Sequence, residues 1–208
     1  MTGSFDVGST PPAAGARHRA EDFRLGNEVL AFRFVATLGD RRGDPVERLA
    51  APAQLSAWLT VNGLGAMDMP VSDALLRDAR QLREAIQRAG VAAAEGGTAD
   101  PADEELLNRW TARHRAHLVL TGGRARWRLP DSDPARAALA VVAVNAVATL
   151  GGDHVIKRCE QRTCGGLFVD TSRGGRRRWC SMSTCGNKVK KANLKAAHAG
   201  AGEGAGSG

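Results

Sequence analysis

A chain of 208 residues, 43% hydrophobic and 25% charged, is long enough for one ordinary domain plus a small module, with a real core between them. No apolar run approaches the length of a membrane span, and the opening MTGSFDVGSTPPAAGARHRA has no apolar signal core. Both features argue against a membrane or secreted protein, and a cytoplasmic one is expected. The net charge of +7 is unevenly placed: residues 154–198 hold 11 Lys and Arg against Glu160 and Asp170, while the remainder holds 18 basic and 20 acidic residues. A nearly neutral body followed by a cationic segment points to a polyanion partner for that segment.

In chain order, residues 1–22 are rich in Gly, Pro, Ser and Ala and read as a disordered leader. LAFRFVATL alternates apolar residues at Leu30, Phe32, Phe34, Ala36 and Leu38, a period of two that argues for a strand, although Arg33 and Ala36 also suit a helix entry. Pro52 then suits a first helical position, with Leu55, Trp58 and Leu59 on one apolar stripe. SDALLRDARQLREAIQRAG is the clearest helix: Ser72 or Asp73 caps it, Leu75, Ala79, Leu82 and Ile86 repeat at helical spacing, and Gly90 sits where a terminating glycine belongs. DPADEELLNRW repeats the logic, with Asp100 as cap and Pro101 at the first position. LVLTGGRARWRL predicts a hairpin turning at Gly122–Gly123. DPARAALAVVAVNAVATLGG predicts a helix apolar nearly all round, hence one buried at the centre of the body.

All the cysteine and all the lysine in the chain lie between residues 157 and 195. Cys159 and Cys164 are separated by four residues, as are Cys180 and Cys185, and fifteen residues lie between the pairs. Two matched pairs at this range suit a tetrahedral four-cysteine Zn2+ site, each pair clasping the ion from a knuckle. Gly165–Gly166 allows the tight backbone that a knuckle needs. The rival, two disulfides, would require an oxidising compartment. LFVDTSRGGRRRW reads as a hairpin turning at Gly174–Gly175, with Phe168 and Trp179 as the core of the module, and a helix follows Cys185. So small a unit cannot fold on its apolar surface alone, and metal supplies the deficit. Arg158, Arg178 and Lys188 are expected to offset the charge of four thiolates.

Arg173, Arg176, Arg177 and Arg178 surround the turn, and Lys188, Lys190, Lys191 and Lys195 follow the last cysteine. On a helix Lys188, Lys191 and Lys195 form one stripe, and Val189, Ala192 and Ala196 form a separate face to pack on the knuckles. These eight cations are the candidate nucleic-acid contacts, because phosphate contact is what confined positive charge on a rigid module serves. The fold class is therefore mainly α with minor β: a helical N-terminal domain with short strands, then a small C-terminal four-cysteine zinc finger of knuckle, β-hairpin and helix. The boundaries expected are a body over 23–152, the finger over 153–198 and a flexible tail over 199–208.

The C-x4-C pair followed by LFVDTSRGGRRRWCSMSTCGN resembles the CGNR zinc-finger family, whose members join an N-terminal ABATE domain to such a finger. The resemblance extends into the body through LAFRFVATL, QLSAWL, the QLREAI helix and Leu107–Asn108. It implies a stress-responsive transcription regulator whose finger binds DNA and whose ABATE domain senses a small ligand. The chain departs from the family pattern at Lys188, where the name places arginine, and at Arg33 and Ala36, where an acid and an asparagine are typical. Those changes bear on phosphate grip and on ligand binding respectively.

The function expected is a zinc-dependent, DNA-binding transcriptional regulator whose body senses a ligand or forms a homodimer. The alternative is a zinc-stabilised protein-interaction or redox-responsive module without direct DNA binding. An enzyme is not expected: Asp100, Asp103, Glu104 and Glu105 suit the first turn of a helix, and a zinc saturated by four cysteines has no open position.

Overall fold

The computed structural model describes residues 23–66, 68–112 and 115–203. The expected leader over 1–22 and the end of the tail lie outside them. Among the described residues six helices and three two-stranded ribbons follow in order. The body contains α1 (Leu30–Val35), β1 (Leu38–Gly39), β2 (Val46–Glu47), α2 (Pro52–Val61), α3 (Asp73–Ala94), α4 (Pro101–Ala112), β3 (His117–Thr121), β4 (Arg124–Arg128) and α5 (Pro134–Leu150). The finger contains β5 (Ile156–Arg158), β6 (Leu167–Val169), a π turn at Met182–Gly186 and α6 (Asn187–Glu203). Among the described residues no helix is long and apolar enough to cross a membrane. The mainly helical class with minor strand is the one observed.

Local chemistry starts the helices as expected. Ser72 Oγ accepts from the Leu75 N–H at 3.1 Å, and Asp133 Oδ1 accepts from the Arg136 N–H at 3.1 Å with Pro134 at the first position. Helix α5 runs through the centre, burying Ala135, Ala138, Leu139, Val142, Ala143 and Ala146 among α1, α3 and α4. The β3–β4 hairpin turns at Gly122 and Gly123, both in the left-handed region at φ 57° and 71°, the backbone a two-residue turn requires.

Two body expectations are corrected. LAFRFV is not the strand its alternation argues for but a helix, the alternative that Arg33 and Ala36 leave open. It buries Ala31, Phe32, Phe34 and Val35, so it is apolar almost all round and its alternation carries no face information. What settles it is remote: Asn145 Oδ1 on α5 accepts from the Ala31 N–H at 2.9 Å, satisfying a helix-start donor, and the rings of Phe34 and Trp58 meet at 5.0 Å. Only Leu38–Gly39 at its end is strand.

Gly90 does not end α3. The helix continues to Ala94, and Gly96 (φ 77°) terminates it, with the Gly96 N–H on Ala93 O at 3.1 Å and the Gly97 N–H on Ala92 O at 2.9 Å. That pair of bonds is a Schellman stop. Gly90 is instead a notch, since a Cβ there would collide with Leu167 Cδ1 of the finger. Leu167, Ile156 and Phe32 form a buried cluster joining finger to body. Gly90→Ala gains up to about 1 kcal/mol of helix propensity, yet overpacking a closed contact costs about 1–3 kcal/mol. The expected net result is a lower denaturation midpoint with an unchanged m-value, measured in urea.

Candidate metal centre and nucleic-acid interface

The first cysteine pair sits on the turn of the β5–β6 ribbon. Ile156 pairs with Val169, Lys157 with Phe168 and Arg158 with Leu167, and the knuckle between them carries both cysteines. The Cys159 N–H donates to Gly166 O at 2.8 Å and the Cys164 N–H to Gln161 O at 3.0 Å, closing the loop. Gly165 has φ 67°, and the Gly166 N–H points at Cys164 Sγ from 3.4 Å. A Cβ on Gly166 would lie 3.2 Å from Cys164 Sγ and 3.4 Å from Cys180 Sγ, so the glycine pair keeps the sulfurs clear. The second pair lies at the entry to α6. Ser181 O accepts from the Cys185 N–H at 3.0 Å and from the Gly186 N–H at 3.1 Å, and Ser181 Oγ accepts from the Thr184 N–H at 3.3 Å.

All four sulfurs lie within 4.8 Å of one another, with Cys164–Cys180 and Cys180–Cys185 both at 3.7 Å. A disulfide needs about 2.0 Å, and the cysteines are free thiols. Four sulfurs about 2.3 Å from a shared tetrahedral ion stand roughly 3.8 Å apart, the spacing seen. The donor set and its geometry therefore fit a metal ion. Hydrogen bonds from Cys164, Cys180 and Cys185 push the Cys159 thiol down. Cys164 is bonded to Cys159, which opposes ionisation, and to Cys180 and Cys185, which favour it and bring it to about 7. Hydrogen bonding to Cys159 first of all pushes Cys180 and Cys185 up. Sulfurs this close ionise unequally by themselves, and a cation among them is what lets all four do so.

The body holds this knuckle directly. The Arg41 N–H donates to Cys164 O at 3.1 Å and the Arg42 N–H to Thr163 O at 3.0 Å. Gln87 Nε2 reaches Gly165 O at 3.2 Å, and Asn27 Nδ2 reaches Leu167 O at 2.7 Å. Asp40, left-handed at φ 48°, accepts from Arg24 at 2.9 Å, from Thr163 Oγ1 at 3.1 Å and from Lys188 at 3.3 Å. Burial would raise its carboxyl, but Arg24, Lys188 and Thr163 together hold it below the usual range. One carboxylate thus ties the body to the first knuckle and to α6. No local signal in the sequence marks Asp40, Arg41, Gln87 or Asn27 for this work, because each acts across a long stretch of chain.

Three expectations about the finger are corrected. The strand after the first knuckle pairs back with β5, and residues 170–180 form a loop rather than a hairpin arm. That loop is closed by Ser172 Oγ, which donates to Asp170 at 2.6 Å and accepts from the Arg176 N–H at 3.0 Å, with Gly175 left-handed at φ 63°. Bonds from Lys157 and Ser172 hold the Asp170 carboxyl well below its ordinary value. Arg158, Arg178 and Lys188 are not free to offset thiolate charge: they pair with Glu95, Glu160 and Asp40. The apolar face foreseen on α6 does not close on the knuckles, since Val189 is half-buried and Ala192 exposed, and the Ala196 side chain lies outside the described residues.

The candidate contacts separate into two groups. Arg177 donates to Trp179 O at 3.0 Å and to Cys180 O at 2.8 Å, and its guanidinium covers the Phe168 ring at 4.9 Å. Phe168 is fully buried beneath it, and Trp179 packs half-buried against the cysteines. Arg177 is therefore part of the module's frame. Arg173, Arg176, Lys190, Lys191 and Lys195 are exposed, with no carboxylate partner among the described residues. Lys188 and Arg178 are exposed but paired.

Comparison with known families gives two matches. The ABATE model, described as "Putative stress-induced transcription regulator", matches residues 28–153, and the CGNR zinc-finger model matches residues 156–198. No curated protein matches the chain.

Proposed function

The chain belongs to the ABATE family and carries a CGNR zinc finger, and from that premise we propose that it is a zinc-dependent, DNA-binding transcriptional regulator. Zn2+ is the ion proposed for Cys159, Cys164, Cys180 and Cys185, because four soft thiolates at tetrahedral spacing suit it and leave no open position for catalysis. The observation that carries the DNA reading is the set of exposed cations with no carboxylate partner among the described residues: Arg173 and Arg176 on the loop, and Lys190, Lys191 and Lys195 on α6. A rigid centre that orients such charges meets a phosphate backbone without an ordering cost for each contact. The body is proposed to sense a small ligand, and it touches the knuckle closely enough to pass a change on to it.

The test is duplex binding by fluorescence anisotropy over a salt series, with zinc-loaded protein and with chelator present. The zinc-loaded chain should show log K falling linearly with log salt, and the chelated chain should lose the interaction. Replacing Arg173 and Arg176 by alanine should flatten that slope by about 0.9 per lost phosphate contact. Equal binding with and without zinc, or a slope indifferent to these arginines, would defeat the proposal in favour of a protein-interaction role.

A further inference from the structure

A cleft of about 410 Å3 lies between body and finger. One wall is the chain entering the body, Phe23–Asn27, with the adjoining end of α1 and β1; the other is the Cys180–Cys185 turn. The two walls come close, since a Cβ on Gly26 would lie 3.3 Å from Ser181 Oγ. Leu25, Ala36 and Leu38 give the cleft a partly exposed apolar side, with the buried Phe32 and Leu167 also in its lining, and Arg24 and Arg48 give it a cationic one.

The two guanidiniums converge over Gly39. A Cβ on that residue would collide with Arg48 Nη1 and lie 3.2 Å from Arg24 Cζ. Arg24 shares its one carboxylate, Asp40, with Lys188. Arg48 has no carboxylate partner among the described residues; its side chain bonds only the Val46 carbonyl, at 3.3 Å. Among the described residues Arg24 and Lys188 thus share Asp40, and Glu47, the other acid that acts on Arg48, is held by Arg83. Burial and then the charge of Arg24 lower Arg48 below the ordinary arginine value, against the opposing pull of Asp40 and Glu47, and an anion bound there would relieve that field.

We propose that this cleft binds a small carboxylate with an apolar body, its carboxylate on Arg24 and Arg48 and its apolar part against Leu25, Ala36 and Leu38. The volume is in the range of small-molecule sites. A bare phosphate would satisfy the arginines and leave the apolar side uncovered. Guanidiniums suit a carboxylate because their paired N–H groups match its two oxygens. An occupant touches both walls, so it joins the body to the turn that carries Cys180 and Cys185. This identifies the ligand class for the sensing role proposed above and rests on that reading for its biological use, but binding is read without DNA.

Benzoate is a suitable probe, with benzyl alcohol as the uncharged comparison and inorganic phosphate as the bare anion, each titrated calorimetrically into the zinc-loaded full chain. Benzoate should bind saturably at one site in the millimolar range or tighter, benzyl alcohol and phosphate at least about tenfold more weakly. Backbone amide signals of Gly26, Gly39 and Ser181 should shift together. Arg48→Met should lose the affinity about tenfold, and Arg48→Lys, which keeps the charge, should retain more of it; the unfolding midpoint of each variant shows that it is folded. No saturable benzoate binding overturns the proposal, as does binding unchanged in a folded Arg48→Met. Phosphate binding as tight as benzoate overturns the assignment of an apolar body, and shifts confined elsewhere overturn the location. A failure of DNA binding alone would leave all these readouts in place.

Discussion

Cys185→Ser will purify without stoichiometric zinc, and its finger will lose protection from amide exchange while the helical signal of the body persists. Cys185 is 1% exposed and lies 3.7 Å from Cys180. A hydroxyl there removes one of four soft donors and shortens its reach. Apparent zinc binding is about 10–16 kcal/mol in small finger peptides, larger than any apolar contribution a unit of this size can make by itself. Loss should nonetheless stay local at first. The main core, built on Trp58, Leu59, Leu82, Ile86, Leu139 and Val142, has no member in the cysteine module. Metal analysis combined with hydrogen exchange checks both halves: a variant that keeps one zinc, or a finger still protected without it, would contradict the assignment.

Arg83→Leu should destabilise the folded body by about 3 kcal/mol, towards the lower end of what breaking a buried charge pair costs. Arg83 is 3% exposed and makes a bidentate bond to Glu47 at 2.7 Å, with further bonds to Glu84 at 2.8 Å and Thr37 at 3.2 Å. Leucine fills much of the volume but leaves two partly buried carboxylates short of their cation. Both remain near solvent, which screens part of the loss. The effect bears on the finger because Glu84 also holds Arg41, whose N–H is bonded to Cys164 O.

The same network sets an acid limit. Burial alone would raise Glu47 and Glu84, but bonds from Arg83 to the first and from Arg41 and Arg83 to the second hold both below their ordinary 4.5. Their contribution is therefore complete above that value and is lost as pH falls through the lowered folded values. Urea midpoints measured from pH 7 down to well below 4.5 should show the wild type losing its advantage over Arg83→Leu at the acid end. A gap between the two that does not narrow would count against the network as its cause.

The outcome at Lys188 shows how far charge patterning reaches. Its placement on a helical stripe with Lys191 and Lys195 follows from spacing, and α6 is indeed a helix. Its partner Asp40 stands 148 residues earlier, so nothing local could separate Lys188, which is paired, from Lys190 and Lys191, which have no carboxylate partner among the described residues. Arg177 poses the same problem in reverse: in sequence it is one of a run of arginines, and only the placement of Phe168 beneath it and of two carbonyls beside it gives it a structural part.

What the amino-acid sequence determined by itself is whatever depends on short range. Helix starts at Ser72 and Asp133, the Gly122–Gly123 turn and the buried course of α5 all come from caps, prolines, glycines and apolar periodicity within a turn or two. The cysteine cluster was legible for a related reason, since two equal C-x4-C spacings have few other uses and the donors carry their chemistry with them. The tertiary structure alone decided the rest. LAFRFV became a helix because Asn145 and Trp58 await it, Gly90 became a notch because Leu167 arrives there, and Arg24 and Arg48 came to share one cleft because Gly39 lets them meet. In each case the deciding partner is brought in by folding, and local propensity is too weak to outweigh a buried contact or a satisfied hydrogen bond.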